Sequence, residues 1–273
     1  TLAGNTMAKV IDTLGRRSSV RGMVARIDSG GGGIHGSELM YAALRRFSDK
    51  KPVVASLGSV AASGGYWTAL GADHILADPA TITGSIGIFA FKPSLAGLWS
   101  KIGLGTETVA RGPHADINSI DRPWTKSEKA MVAQTLGSYY DLFLQRVSLR
   151  RKIDRPRLLR LAEGRLWLGD EALGHGLVDG NGGTLAAIAE VRKRTRLIGD
   201  QDVLVEFWPK PSLRSALRRW AGLSTETSSP TRDMVKLLDG ATAGWLDRAM
   251  LIQVLGTNQP LALTPVPLDT PAP

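Results

Sequence analysis

Apolar positions along the chain follow two rhythms. Val20 to Ile27 and Pro52 to Leu57 are short, nearly continuous apolar runs, which predict buried strands. Between them Leu39, Met40, Ala43, Leu44 and Phe47 recur at intervals of one and three and predict an amphipathic helix. After Leu57 the sequence gives way to an apolar helical stretch through Tyr66 and Trp67. A short strand over His74 to Ala77 and a further element over Thr81 to Ile88 follow. The strongest helix signal is Thr125 to Val147. Thr125 and Glu128 form a capping box, and Met131, Val132, Thr135, Leu136, Tyr139, Tyr140, Phe143, Leu144 and Val147 line one side. A stripe that wide is expected to be buried, in core packing rather than at a subunit contact.

Strands alternating with helices predict an α/β fold over residues 1–200. From Val203 the character changes: Trp208, Trp220 and Trp245 sit in short helical stretches separated by the polar run Ser224 to Thr231. This predicts a small helical extension over 201–259, and the proline-rich tail over 260–273 is expected to be extended or disordered.

Composition narrows the chemistry. With 273 residues and 43% hydrophobic content the chain can bury a substantial core. It has no cysteine, which excludes disulfides and thiolate metal sites, and its four histidines are scattered without zinc spacing, so no metal and no cofactor are expected. The net charge of +9 raises nucleic acid as a partner. The arginines are spread from Arg146 to Arg219, and no zinc finger, RNA-binding signature or aromatic ladder accompanies them. The expectation is a solvated basic face, with an anionic membrane surface as a partner and no nucleic acid. No apolar run reaches bilayer length, so the chain itself is expected to be soluble.

Candidate chemistry gathers at the strand-to-helix junctions. Ser63 lies in Ala61-Ala62-Ser63-Gly64-Gly65-Tyr66-Trp67, where the next backbone N–H and the helix dipole would stabilise a developing oxyanion. Taken alone, Ser-Gly-Gly also fits a helix cap with a small-residue packing contact. Upstream, Asp28-Ser29-Gly30-Gly31-Gly32-Gly33 joins a strand to a helix, and Gly31, Gly33 and Gly36 satisfy the dinucleotide fingerprint. That fingerprint expects an acid at the end of the next strand. Val53 to Gly58 ends without one, which favours an oxyanion hole built from Gly31 or Gly32 N–H and Gly64 N–H.

Together with Arg26 to Gly32 and Ala62 to Trp67, the segments Thr83-Gly84-Ser85-Ile86-Gly87, Gly164-Arg165-Leu166-Trp167-Leu168-Gly169 and Gly176-Leu177-Val178-Asp179 resemble the signal peptide peptidase A family of serine peptidases. The resemblance covers about residues 5 to 195; the family usually has proline where Gly30 stands. It implies a Clp protease/crotonase-like fold of stacked β-β-α units, a serine and lysine dyad with Ser63 as nucleophile, and Ser85 as the residue that orients the lysine. It also implies an extended, mostly apolar peptide substrate such as a cleaved signal peptide, bound beside Ser29, the Gly31 loop and Gly65. A homo-oligomer at the periplasmic face of the bacterial inner membrane is implied as well.

The dyad's lysine is where the chain departs from the pattern. Short members carry it in a His-Lys-Asp-like segment; this chain reads His114-Ala115-Asp116, and alanine cannot act as a base. The resemblance therefore implies the serine-bearing second half of a long, tandem-domain member, with the lysine supplied by a preceding N-terminal domain. Lys50, Lys51, Lys92, Lys101, Lys126 and Lys129 read as solvated charges. His114 with Asp116 is the only close pair suited to a triad, and nothing connects it to Ser63. His35, His74 and His175 read as loop or packing residues. Other readings of the same fold are a noncatalytic binding or assembly module, a phage-type capsid maturation protease, and crotonase-like acyl-CoA chemistry, which needs no serine at position 63.

Overall fold

The structure is a computed structural model, described here over residues 2–196 and 204–209. Helix α1 (Leu2–Arg16) leads into β1 (Met23–Ser29), α2 (Ile34–Ser48), β2 (Val53–Ala62), α3 (Gly64–Ala69), β3 (His74–Ala77) and β4 (Ile82–Gly84). Helices α4 (Ala96–Lys101), α5 (Lys126–Arg151) and α6 (Arg155–Leu161) follow, then β5 (Leu166–Leu168), α7 (Gly169–His175), β6 (Gly180–Asn181) and α8 (Thr184–Arg194). The described residues form two compact units: residues 2–87 with 143–196 and 204–209, and residues 88–142. The expected helical extension, apart from 204–209, and the expected proline-rich tail lie outside the described residues.

The α/β expectation holds. The first unit is built on a six-stranded sheet in the order β5-β4-β2-β3-β6, with β1 also paired to β2. The pairs β1–β2, β2–β3, β2–β4 and β3–β6 are parallel, and β5 runs antiparallel to β4. Strand β2 is the hub, and Val53 to Gly58 are all buried, as a strand with neighbours on both edges and helices against its faces requires. Beneath α8, Ala187 and Val191 pack on Val24, Val54 and Leu76. On α3, Tyr66 and Trp67 are almost wholly enclosed, and Trp67 stacks on Phe143 with ring centroids 4.5 Å apart.

Three elements depart from the sequence reading. Helix α1 was not anticipated: it buries Ala8, Ile11 and Leu14 and crosses α2 where a Cβ on Gly4 would lie 2.7 Å from Gly36 Cα. Strand β2 does not stop at Gly58 but continues to Ala62, directly before Ser63. Helix α5 carries out its capping box, since Glu128 accepts the Thr125 N–H at 2.8 Å and Thr125 Oγ1 accepts the Glu128 N–H at 3.3 Å. Its apolar stripe, however, is buried only in part. Phe143, Leu144 and Val147 are enclosed, whereas Met131 and Tyr139 are exposed. The expectation of core burial therefore fails for the first half of the helix: periodicity marks a face that is apolar without supplying anything to cover it.

Candidate active site

Ser63 links β2 to α3 in a backbone conformation that few non-glycine residues adopt, with φ 50° and ψ −118°. Holding it there costs about 1–3 kcal/mol, which the surrounding structure must supply. Two main-chain bonds do so on either side: Ser63 N–H donates to Gly84 O at 2.9 Å, and Trp67 N–H donates to Ser63 O at 2.8 Å. The Ser63 side chain makes no capping hydrogen bond to α3, so the helix-cap alternative does not describe it. A serine on a sharp, strained strand-to-helix turn presents its hydroxyl above the sheet edge.

Ser85 ends the neighbouring strand in the same manner. The last pair of the β2–β4 ladder is Ala62↔Gly84, so Ser63 and Ser85 are each one residue beyond it on adjacent parallel strands. Ser85 also has positive φ, 48°, and its N–H donates to Arg165 O at 2.7 Å. Alignment of the Thr83-Gly84-Ser85 and Gly164-Arg165 segments is thus a ladder effect, since β5 pairs Leu166 with Gly84.

The glycine loop closes over this turn. A Cβ on Gly31 (φ +121°) would lie 2.9 Å from Ser63 Cβ and 3.0 Å from Gly64 N, and one on Gly64 would lie 2.4 Å from Ser37 Oγ and 3.2 Å from Gly32 N. One on Gly65 would lie 2.5 Å from Ser29 O. Such approach requires glycine on both chains. Within the loop Gly31 N–H is already engaged, donating to Ser29 Oγ at 3.2 Å, while Ser29 Oγ donates to Gly31 O at 3.3 Å. No hydrogen bond among the described residues occupies Gly32 N–H or Gly64 N–H. The buried Ser37 steadies the far side, its Oγ donating to Gly33 O at 3.3 Å. Chemically, the arrangement offers a hydroxyl beside two uncommitted N–H donors. The glycine loop here packs against a second turn, which leaves the dinucleotide reading without a cradle facing open space at Gly31.

Behind the turn, polar contacts fix α3. Glu38 accepts from Trp67 Nε1 at 2.8 Å and from Arg146 Nη2 at 2.7 Å. Tyr66 OH donates to Leu177 O at 2.7 Å, and burial pushes its ionisation far above the ordinary value. Asp179 accepts from Arg151 at 2.9 and 2.8 Å and from Ile75 N–H at 2.8 Å. Burial pushes its carboxyl upward, but the Arg151 guanidinium and the Ile75 N–H outweigh that and leave it below the usual range. The Gly176 to Asp179 motif is thus a clamp on the sheet and α3.

The remaining candidates fall elsewhere. In the 88–142 unit, Asp116 is held by Arg122 at 2.7 Å through two hydrogen bonds, and Arg122 also reaches both oxygens of the buried Glu128, at 2.8 and 2.6 Å. The Arg122 guanidinium holds both carboxyls below their ordinary values. His114 Nδ1 lies 3.7 Å from Glu128 Oε1, so His114 and Asp116 face a shared ion cluster rather than forming a pair. Ala115 is in the same segment, with its N–H donating to Gly112 O at 3.4 Å. Lys92 departs from its solvated reading: its amino group is shut from solvent with no hydrogen-bond partner, 5.9 Å from the centre of the Trp124 ring. His74 contacts Arg194, and His175 meets the Trp167 ring edge-on at 4.3 Å, both packing roles. Among the described residues no cluster could hold a metal ion, and no helix is long and apolar enough to cross a membrane.

The family model of peptidase family S49 matches residues 45–197. The chain is 35% identical over 222 residues to the chloroplastic serine protease SPPA of Arabidopsis thaliana, covering 80% of this chain and 32% of that protein. It is 35% identical over 209 residues to Protease 4 of Haemophilus influenzae, covering 75% of this chain and 34% of the relative. A putative signal peptide peptidase SppA of Enterococcus faecium is 29% identical over 219 residues, with 77% of this chain and 62% of the relative covered. The chain thus spans about a third of the length of the first two curated relatives.

Proposed function

The chain belongs to peptidase family S49, the family of signal peptide peptidase A, and from that premise we propose that it is the serine-bearing region of an endopeptidase that works with a lysine base. In this reading Ser63 Oγ attacks the carbonyl carbon of a peptide bond. The lysine takes the hydroxyl proton and passes it to the leaving amine, and water then releases the acyl group from Ser63 by the reverse sequence. Gly32 and Gly64 N–H hold the oxyanion; one such donor is worth about a hundred- to a thousandfold in rate. Ser85 orients the lysine ammonium, and Ser29 and Gly65 border the path of the substrate strand. The observation that carries the reading is the conjunction at Ser63: a strained, uncapped serine beside Gly32 and Gly64, whose N–H groups donate to no acceptor among the described residues.

The base is assigned to a preceding region of a longer protein, because Ala115 occupies the lysine position of short members and the first two relatives are about three times as long as the stretch they share with this chain. The substrate is proposed to be an extended apolar peptide, such as a cleaved signal peptide, added as a strand beside the Gly31 loop. The net charge of +9 favours work at an anionic membrane surface, and the family resemblance supports a homo-oligomer at the periplasmic face of the bacterial inner membrane.

Cleavage of a fluorogenic apolar peptide tests this. In the longer protein Ser63→Ala is expected to abolish turnover without unfolding; retained turnover there refutes the nucleophile. The chain alone is expected to cleave very weakly, with Ala115→Lys raising the rate. Strong activity in the chain alone, with no partner, refutes the assignment of the base to a preceding region. A longer protein that binds such peptides but never cleaves them supports the noncatalytic module.

A further inference from the structure

Strand β2 does not run straight to Ser63. It stays in step with β1 as far as Ile27↔Leu57, and the next pair is Ser29↔Ala61, so β2 advances four residues while β1 advances two. At the same place β2 exchanges its other neighbour, pairing with β3 through Ser56 and with β4 from Val60. Extra residues in one strand bend it and re-aim the residues beyond the bend, and here Ser63 is one of them. Backbone groups at such an irregularity must find partners outside the regular ladder.

Four side chains supply them in succession. Arg26 Nη1 donates to Leu57 O at 2.9 Å and to Ser56 Oγ at 2.9 Å. The buried Thr81 donates from Oγ1 to Gly58 O at 2.8 Å. Asp28 Oδ1 accepts Val60 N–H at 3.2 Å, and Thr83 Oγ1 donates to Ala61 O at 2.7 Å. The Asp28 carboxyl folds so closely over the bend that a Cβ on Gly58 would lie 2.4 Å from its Cγ. Arg26 and Asp28 are two residues apart and so share one side of β1. Each matches its backbone partner in kind, the cation on a carbonyl and the anion on an N–H.

We propose that Arg26, Asp28 and Thr81 are positioning residues that hold the bend in β2 and so set the direction in which Ser63 leaves the sheet. The inference rests on Ser63 being the nucleophile. Displacing a reacting atom by about 1 Å costs up to a hundredfold in rate, so a relaxed bend acts on Ser63 without touching substrate.

The test is the rate constant of fluorophosphonate labelling in the longer protein, which each folded molecule reports independently of how many are folded, together with kcat and KM for peptide cleavage. Asp28→Ala and Thr81→Val, which remove the hydrogen-bonding groups, are expected to slow labelling about ten- to a hundredfold and to lower kcat with KM unchanged. Asp28→Asn and Thr81→Ser keep an acceptor and a hydroxyl and are expected to restore labelling. Wild-type labelling in Asp28→Ala and Thr81→Val overturns the proposal, as does a loss that Asn and Ser fail to restore. If Asp28→Ala does not fold, the Thr81 pair decides. Labelling that persists in Ser63→Ala overturns the underlying nucleophile assignment instead, so the two failures are distinguishable.

Discussion

The Ser63 turn and the Arg122 cluster are both dense in polar groups, and both looked like candidate chemistry along the chain, yet they are built in opposite ways. Around Arg122 every group is spent: its guanidinium is shared between Asp116 and Glu128, Glu128 also caps the Thr125 N–H, and His114 lies against the same carboxylate. At Ser63 the backbone is strained, the side chain does not cap α3, and Gly32 and Gly64 N–H donate to no acceptor among the described residues. A saturated cluster stabilises what is already folded. Unsatisfied donors held at a strained turn have value only when something else arrives.

The largest effect that sharpens this contrast is expected from Gly31→Ala. The added Cβ meets Ser63 Cβ at 2.9 Å on a backbone with φ +121°, so the loop must retreat from the turn. Peptide cleavage should fall by about a hundredfold or more, the cost of losing an oxyanion donor, while the far-ultraviolet circular dichroism is retained. Near-wild-type kcat in that variant would show that the loop plays no part in catalysis.

Arg122→Met should act on stability. It leaves Glu128 buried against a methionine, and the melting temperature should drop. The pH dependence makes this specific. Asp116 and Glu128 have folded-state values below their ordinary 3.8 and 4.5, held down chiefly by hydrogen bonds from Arg122. Their contribution is therefore fully present above that ordinary range and is lost progressively as pH falls from there towards the depressed folded values. Thermal melts of the native sequence should weaken steadily below about pH 5, and in Arg122→Met the acid slope should flatten. An unchanged slope would mean that the cluster is not what acid titrates.

The smallest effect is expected from His114→Ala. Since His114 faces Glu128, peptide cleavage should stay within about twofold, against the hundred- to ten-thousandfold that a general base contributes. A loss on that larger scale would move His114 into the catalytic machinery and erase the distinction between the two regions.

Much of the site was legible from residue types. Ser63-Gly64-Gly65 and the Gly31 loop stood out as small residues at two strand-to-helix junctions, although each alone also fitted another reading. The structure adds that Gly31 N–H is tied to Ser29, whereas Gly32 and Gly64 N–H have no acceptor among the described residues. The bend ahead of Ser63 was hidden, because Gly58 looked like the end of a strand when it is the point where Asp28 folds over one. Thr81 and Thr83 gave a faint signal, two β-branched hydroxyls in alternation, but which carbonyls they reach depends on the β2–β4 register.

The sequence by itself determined the alternation of strands and helices and the capping box of α5, because each follows from local preferences or from the period of a few neighbouring residues. Only the tertiary structure decided which half of the α5 stripe is covered: Phe143, Leu144 and Val147 are enclosed while Met131 and Tyr139 meet solvent. The same holds for the pairing of Ser63 with Ser85 at the ends of adjacent strands, for the enclosure of Lys92, and for the bend that Arg26, Asp28 and Thr81 hold. Each depends on groups far apart in the chain meeting at hydrogen-bonding or packing distance. Period and composition describe what a segment needs to bury or bond, and only the assembled sheet and helices determine what meets that need.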